Sequence, residues 1–245
     1  NTTEQNPFTK PGFIISAALV VALIAAVIVI FFIPKGGGGS QQPVLPSSGS
    51  NAAGPSTSSK AASGSICGLP STSETALGAA PKSKWELVGR MATPTDPDSF
   101  GPGVIDSDGF RSCFAHSPTG ALYAAVNMIA LSSADSQILN VKVTDKLLVT
   151  GPGRDMAMKD SAKVSPSSGT DTTVQVRGFL VKSYTPSEAD VDLAFETRNG
   201  VLAHTVLPLR WVDGDWKAKV SDEGKLINEI TQLRDLSSFI AWSGV

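Results

Sequence analysis

Few residues in this sequence stand out as candidates for chemistry, and their spacing decides what they can do. The chain holds two histidines, His116 and His204, and two cysteines, Cys67 and Cys113. General acid–base chemistry needs an ionisable group beside an apolar cavity that perturbs its pKa. His204 sits mid-strand on the face of Leu202 and Val206, where it could line a pocket with Tyr123 as a polar companion. A partly exposed strand histidine is the plainer reading. His116 directly precedes Ser117 and reads as a loop or capping histidine. Asp190 and Asp192 alternate onto what reads as the solvent face of the same strand pair. Ser117 is followed by Pro118 and Thr119 and forms no G-x-S-x-G elbow. "GPGRD" at 151–155 lacks the Gly-Lys-Ser/Thr of a phosphate loop. "GPGVIDSDG" at 101–109 is acidic but lacks the ligand order and terminal Glu of a calcium loop. The cysteines and histidines fit no zinc spacing. The sequence therefore predicts no catalytic residue, no metal, no cofactor, and a chain that is not an enzyme.

The cysteines have another use. Cys67 lies in "SICGLPSTSE" and Cys113 in "FRSCFAHSPTG". They read either as two unrelated thiols or, as we favour, as one disulfide of an oxidising compartment. Such a bridge closes a loop of about 46 residues, worth ~4 kcal/mol in the chain-entropy account. Charge narrows the partners: 20 Lys and Arg against 22 Asp and Glu leave no broad cationic surface for nucleic acid.

The elements around these residues follow from pattern. "KWELVGRMATP" starts as a strand, with Trp85 and Leu87 alternating with charged neighbours, and a Pro, Gly and Asp-rich loop follows. Ser117 is a good N-cap and Pro118 suits the first helical position. Ala121, Leu122, Ala125, Val126 and Ile129 then give a broad apolar face, as expected of a buried helix. Shorter helices follow on either side of Gly151, Pro152 and Gly153, although the Val-rich stretch at 141–149 also reads as a strand. From Thr172 to about Tyr184 the chain is strand-like, and "ADVDLAFETR" alternates with Val191, Leu193 and Phe195 on one face. Asn199-Gly200 and Asp213-Gly214 are tight hairpin turns on either side of "VLAHTVLPLRWV". Pro208 belongs at an edge or bulge. A helix is expected at about 224–235, with Leu226, Ile230 and Leu233 on one face. The apolar tail from Phe239 through Ile240 and Trp242 should pack back on the domain or dock a partner.

The N-terminal third has a different style. Residues 13–33 are apolar apart from Ser16 and carry no charge. As a helix, this run spans ~30 Å, the thickness of a bilayer core. It is longer than a signal peptide's apolar region, and Phe31, Phe32, Ile33 and Pro34 offer no small-x-small cleavage site. The expected order is a short cytoplasmic tail at 1–12 and a single transmembrane helix at 13–33. A disordered Gly/Ser/Pro linker at 34–66 and an extracytoplasmic α+β domain at 67–245 complete it. The flanking charges, Lys10 with Glu4 against Lys35 and Lys60, do not set the orientation.

Helices followed by an antiparallel meander, over roughly residues 110–235, resemble the cone-shaped nuclear transport factor 2-like fold. That fold, set after an anchor, is similar to the membrane-anchored assembly components of type IV secretion and conjugation machines. The phrases "CGLP", "KWELVG", "GPG", "CFAHSPTGALYAA" and "FIAWSGV", in this order, are similar to uncharacterised actinobacterial membrane proteins associated with integrative conjugative elements. The resemblance implies a plasma-membrane scaffold that meets other envelope or channel proteins, or further copies of itself, and transfers no catalytic residue. The alternative is a tethered module for a small ligand, a lipid or a cell-wall polymer. A scaffold requires an exposed apolar or self-complementary patch, and a ligand module requires a closed apolar pocket.

Overall fold

The computed structural model describes residues 64–134, 136–161 and 173–244. The expected tail, transmembrane helix and nearly all of the linker lie outside these residues. Among the described residues, no helix is long and apolar enough to cross a membrane.

The described chain is α+β. A hairpin of β1 (Lys84–Val88) and β2 (Met91–Thr95) comes first. A small hairpin follows, with β3 (Val104–Ile105) inside the stretch expected to be a loop and β4 (Arg111–Ser112) just after it. Three helices come next: α1 (Pro118–Ser133), α2 (Gln137–Lys146) and α3 (Pro152–Ser161). The Val-rich segment is thus mostly helical, starting from an N-cap at Ser136, whose side chain accepts from Leu139 N. The antiparallel meander is β5 (Val174–Thr185), β6 (Glu188–Thr197), β7 (Leu202–Val212) and β8 (Asp215–Ala218). Two short strands, β9 (Thr231–Gln232) and β10 (Ile240–Ala241), complete the sheet in the order β10-β5-β6-β7-β8, with β9 also on β7.

Helix α1 is the centre of the fold. The Ser117 side chain accepts from Gly120 N at 3.0 Å, and Pro118 occupies the first turn, as its sequence predicts. The helix is buried nearly all round, so its apolar pattern is broader than one face. Its small residues let neighbours approach closely: a Cβ on Gly120 would stand 2.0 Å from the Ala115 carbonyl oxygen. Tyr123, Leu122 and Val126 share one core with Phe179 of β5, Leu193 of β6, Leu209 of β7 and Trp216 of β8.

The meander turns at both expected places, but the first turn is a three-residue loop of Arg198, Asn199 and Gly200 rather than the two-residue hairpin expected. Thr197 N closes it on the Val201 carbonyl at 2.9 Å, with only Gly200 at positive φ. Asp213 and Gly214 have φ of 57° and 78°, so both occupy the left-handed region that a tight two-residue hairpin needs. Pro208 faces Asp190 of β6, while on the other edge it falls between the stretches of β7 paired with β8 and β9. There its missing N–H disrupts no ladder, and its carbonyl accepts from Lys219 N at 2.9 Å.

The expected helix at 224–235 is not formed. Strand β8 pairs only residues 209–212 of the eleven-residue β7, which leaves the first part of that edge open. The segment after β8 fills it. Thr205 Oγ1 donates to the Asn228 carbonyl at 3.1 Å, Asn228 Nδ2 donates to the Val206 carbonyl at 3.0 Å, and β9 pairs with Ala203 and His204. Satisfying exposed strand donors and acceptors outweighs the helical spacing of Leu226, Ile230 and Leu233. A turn also opens the segment, where Gly224 takes φ 74° against the backbone of Ala157.

Candidate functional site

The two cysteines form a disulfide, with Cα atoms 6.1 Å apart. The chain joins the fold two residues before Cys67. Ser65 is buried and its Oγ accepts from Leu69 N at 2.7 Å, while Ile66 N donates to the Gly214 carbonyl at 2.8 Å. Cys113 is fully buried and takes φ 65°. Its backbone is held by a residue that sequence reasoning passed over. The buried Asp215 carboxylate accepts from the backbone N–H groups of Cys113 at 2.7 Å, of Phe114 at 2.9 Å and of Trp216 at 2.9 Å. Burial pushes the Asp215 carboxyl up to about 6, against the three donors and Lys217, which hold it down. The available signal was an Asp directly after an Asp-Gly turn and before a Trp; its partners are 101 and 102 residues away and cannot be read locally.

The residues considered for a pocket are not brought together. Tyr123 is fully buried on the inner face of the sheet, where burial raises its pKa and its hydroxyl donates to Ser83 Oγ at 2.7 Å. His204 is on the outer face, because it pairs with Ala194, and residues 192 and 194 alternate with the core residues Leu193 and Phe195. Its Nδ1 lies 2.8 Å from Asp192 Oδ1, and its ring meets Phe239 edge-on at 5.7 Å. Asp192 is buried, which corrects its placement on a solvent face. Asp190 is half-buried and accepts from Ser183 Oγ at 2.8 Å.

The tail is folded into the domain. Ile240 and Ala241 pair with Phe179 and Gly178 of β5, Trp242 N donates to the Arg177 carbonyl, and Trp242 is buried. Its ring packs at 4.6 Å from Trp85, 5.4 Å from Phe179 and 6.0 Å from Tyr123, while Nε1 donates to the Pro81 carbonyl. Glycine 178 leaves room for this crossing, since a Cβ there would meet the Ile240 carbonyl and Phe239 at 3.0 Å. Phe239 and Ile240 keep some exposure, whereas Trp242 reaches a partner only if the tail is released.

His116 packs into the fold as a loop residue ahead of α1. Its ring stacks on Trp211 at 4.1 Å, and Nε2 contacts the Pro186 carbonyl. One open cleft of about 320 Å³ is lined by Lys82, Ser83, Lys84, Thr95, Asp96, Pro97 and Asp98. It carries both signs of charge, with the Ser83–Tyr123 hydrogen bond beside it. Among the described residues, no group of three or more His, Cys, Asp or Glu side chains could hold a metal ion. Several large apolar side chains are exposed, chiefly Ile66, Leu87, Ile138 and Ile230, with Leu226 and Ile227 near the last.

Residues 47–241 match a family described as a domain of unknown function, DUF8175. The chain belongs to that family. No curated protein and no solved structure matches it.

Proposed function

We propose that this DUF8175 protein is a membrane-anchored, extracytoplasmic scaffold that acts through protein–protein contacts in a conjugative or type IV secretion-like apparatus. The observation that carries the reading is where the apolar surface lies. The space between α1 and the sheet is filled by side chains such as Tyr123, Phe179, Leu193 and Trp216, all fully buried. Exposed apolar side chains instead stand outside, at Leu226, Ile227 and Ile230 along the edge segment and at Leu87 on the first hairpin. A filled interior with apolar residues on the surface suits a docking domain better than a ligand pocket. The charge-free run at 13–33 and the Gly/Ser/Pro stretch that follows it, up to where Ser65 and Ile66 join the fold, support an anchor and a tether. The disulfide supports an oxidising compartment. Helices followed by a bulged antiparallel meander support the likeness to the nuclear transport factor 2-like cone.

The test is mild-detergent co-purification of the tagged full-length protein from its native cells, with bound proteins identified by mass spectrometry. Channel subunits or a coupling ATPase are expected, and Ile230→Asp together with Ile227→Asp should reduce their recovery. A monomer carrying lipid or glycan and no protein would overturn the scaffold in favour of the tethered ligand module.

A further inference from the structure

We propose that the Cys67–Cys113 disulfide is a thiol-exchange site at the point where the chain enters the domain, open to external thiols at Cys67 alone. The two residues differ in exposure: Cys67 is exposed, whereas Cys113 is 0 % exposed. Gly103 faces the Cys67 sulfur with no side chain, and a Cβ there would stand 2.5 Å from it. The surroundings also favour one direction of cleavage. The backbone N–H of Cys67 donates to Cys113 Sγ at 3.1 Å, while Ser65 Oγ lies near both sulfurs, 3.5 Å from Cys113 Sγ and 3.7 Å from Cys67 Sγ. The Cys67 N–H is therefore in place for a thiolate on Cys113, and a stabilised leaving thiolate departs faster.

The step balances as follows. The thiolate of a low-molecular-weight thiol attacks Cys67 Sγ and forms a new sulfur–sulfur bond. The Cys67–Cys113 bond breaks, and its electron pair leaves on Cys113 Sγ as thiolate. A second thiolate attacks the external sulfur of the mixed disulfide, freeing the Cys67 thiolate and carrying away the oxidised dimer of the reagent. Two electrons pass from the two reagent thiols to the protein. The core of α1 and the meander is held without the bridge, through Asp215 on Cys113 and Phe114 and through Trp216 Nε1 on the Ala115 carbonyl. The entry segment depends on it much more. Besides the buried Leu69, residues 64–72 are held mainly by Ile66 N on Gly214 and Thr72 N on His116. Exchange therefore loosens the entry segment and leaves the domain folded.

The experiment incubates the folded full-length protein with reduced glutathione, quenches with acid, blocks free thiols with an alkylating reagent and maps both cysteines by mass spectrometry. The expected result is glutathione on Cys67, alkylation on Cys113 and an unchanged near-UV circular dichroism spectrum. Glutathione on Cys113, or no cleavage until denaturant is added, overturns the proposal. Single-cysteine variants give a second reading that needs no cleavage. In C113A, Cys67 should react with an aromatic disulfide reagent at least ~100-fold faster than Cys113 does in C67A, since a buried thiol must await local opening. Equal rates in two variants that keep the native circular dichroism spectrum also overturn it.

Discussion

Raising the pH should weaken this fold through Asp215, and the size of the effect follows from its surroundings. The carboxyl is buried, and its pKa rises from 3.8 to about 6 in the folded chain. A folded pKa above the unfolded one means that folding favours the protonated form. The contribution is therefore fully present below about pH 4 and is lost as the pH climbs through about 6. At ~1.4 kcal/mol per pH unit, the rise corresponds to ~3 kcal/mol. Other carboxylates titrate over the same range, so the measurement is a difference. Urea unfolding of the wild type and of Asp215→Asn is followed from about pH 4 to about pH 7.5. The asparagine does not titrate, so the wild type's stability relative to the variant should fall by ~3 kcal/mol over this range and then level off. A flat difference would show that burial and the three backbone donors cancel. A rising difference would show that the donors from Cys113, Phe114 and Trp216 outweigh burial, and would refute the reasoning.

Other substitutions probe the packing. Trp242→Ala removes an aromatic plug set between Trp85, Phe179 and Tyr123, and should cost ~3–5 kcal/mol in chemical denaturation. His204→Ala removes the partner of the buried Asp192 carboxylate and should cost ~1–3 kcal/mol by the same assay. Gly120→Ala sets a Cβ 2.0 Å from the Ala115 carbonyl oxygen and should lower the melting temperature far more than Gly109→Ala, which meets nothing within 4 Å but has a strained φ of 85°. Replacing Asn228 with Ala removes its side-chain bond to the Val206 carbonyl, and should speed hydrogen exchange along β9 before the rest of the sheet.

The parts of the fold with local signals were legible in the sequence. Ser117 and Pro118 start α1 because capping chemistry acts over three residues. Asp213-Gly214 turns the chain because both residues take positive φ, whereas at Asn199-Gly200 the turn position was legible but only Gly200 does so. The alternation of Val191, Leu193 and Phe195 marks the inner face of β6. What could not be read depends on distant chain. The 224–235 segment has helical spacing, but β7 is longer than β8 and offers an unfilled edge. Asp192 looks solvent-facing by alternation, but the chain crosses that face on its way from β9 to β10, and Phe239 packs on His204 there. Asp215 finds its donors in the Cys113 loop, which no local pattern brings near. The candidate site was less legible than the fold. Tyr123 and His204 were both reasonable pocket residues by type, yet the sheet separates them.

The central claim is that the domain stands outside the membrane on an anchor at residues 13–33. Its most direct test is protease treatment of intact cells, together with alkaline extraction of their membranes. The account predicts that external protease removes the disulfide-bonded domain without lysis, and that the untreated protein stays in the membrane pellet at high pH. A domain protected until the cells are broken, or a chain released from the membrane by alkali, would contradict it.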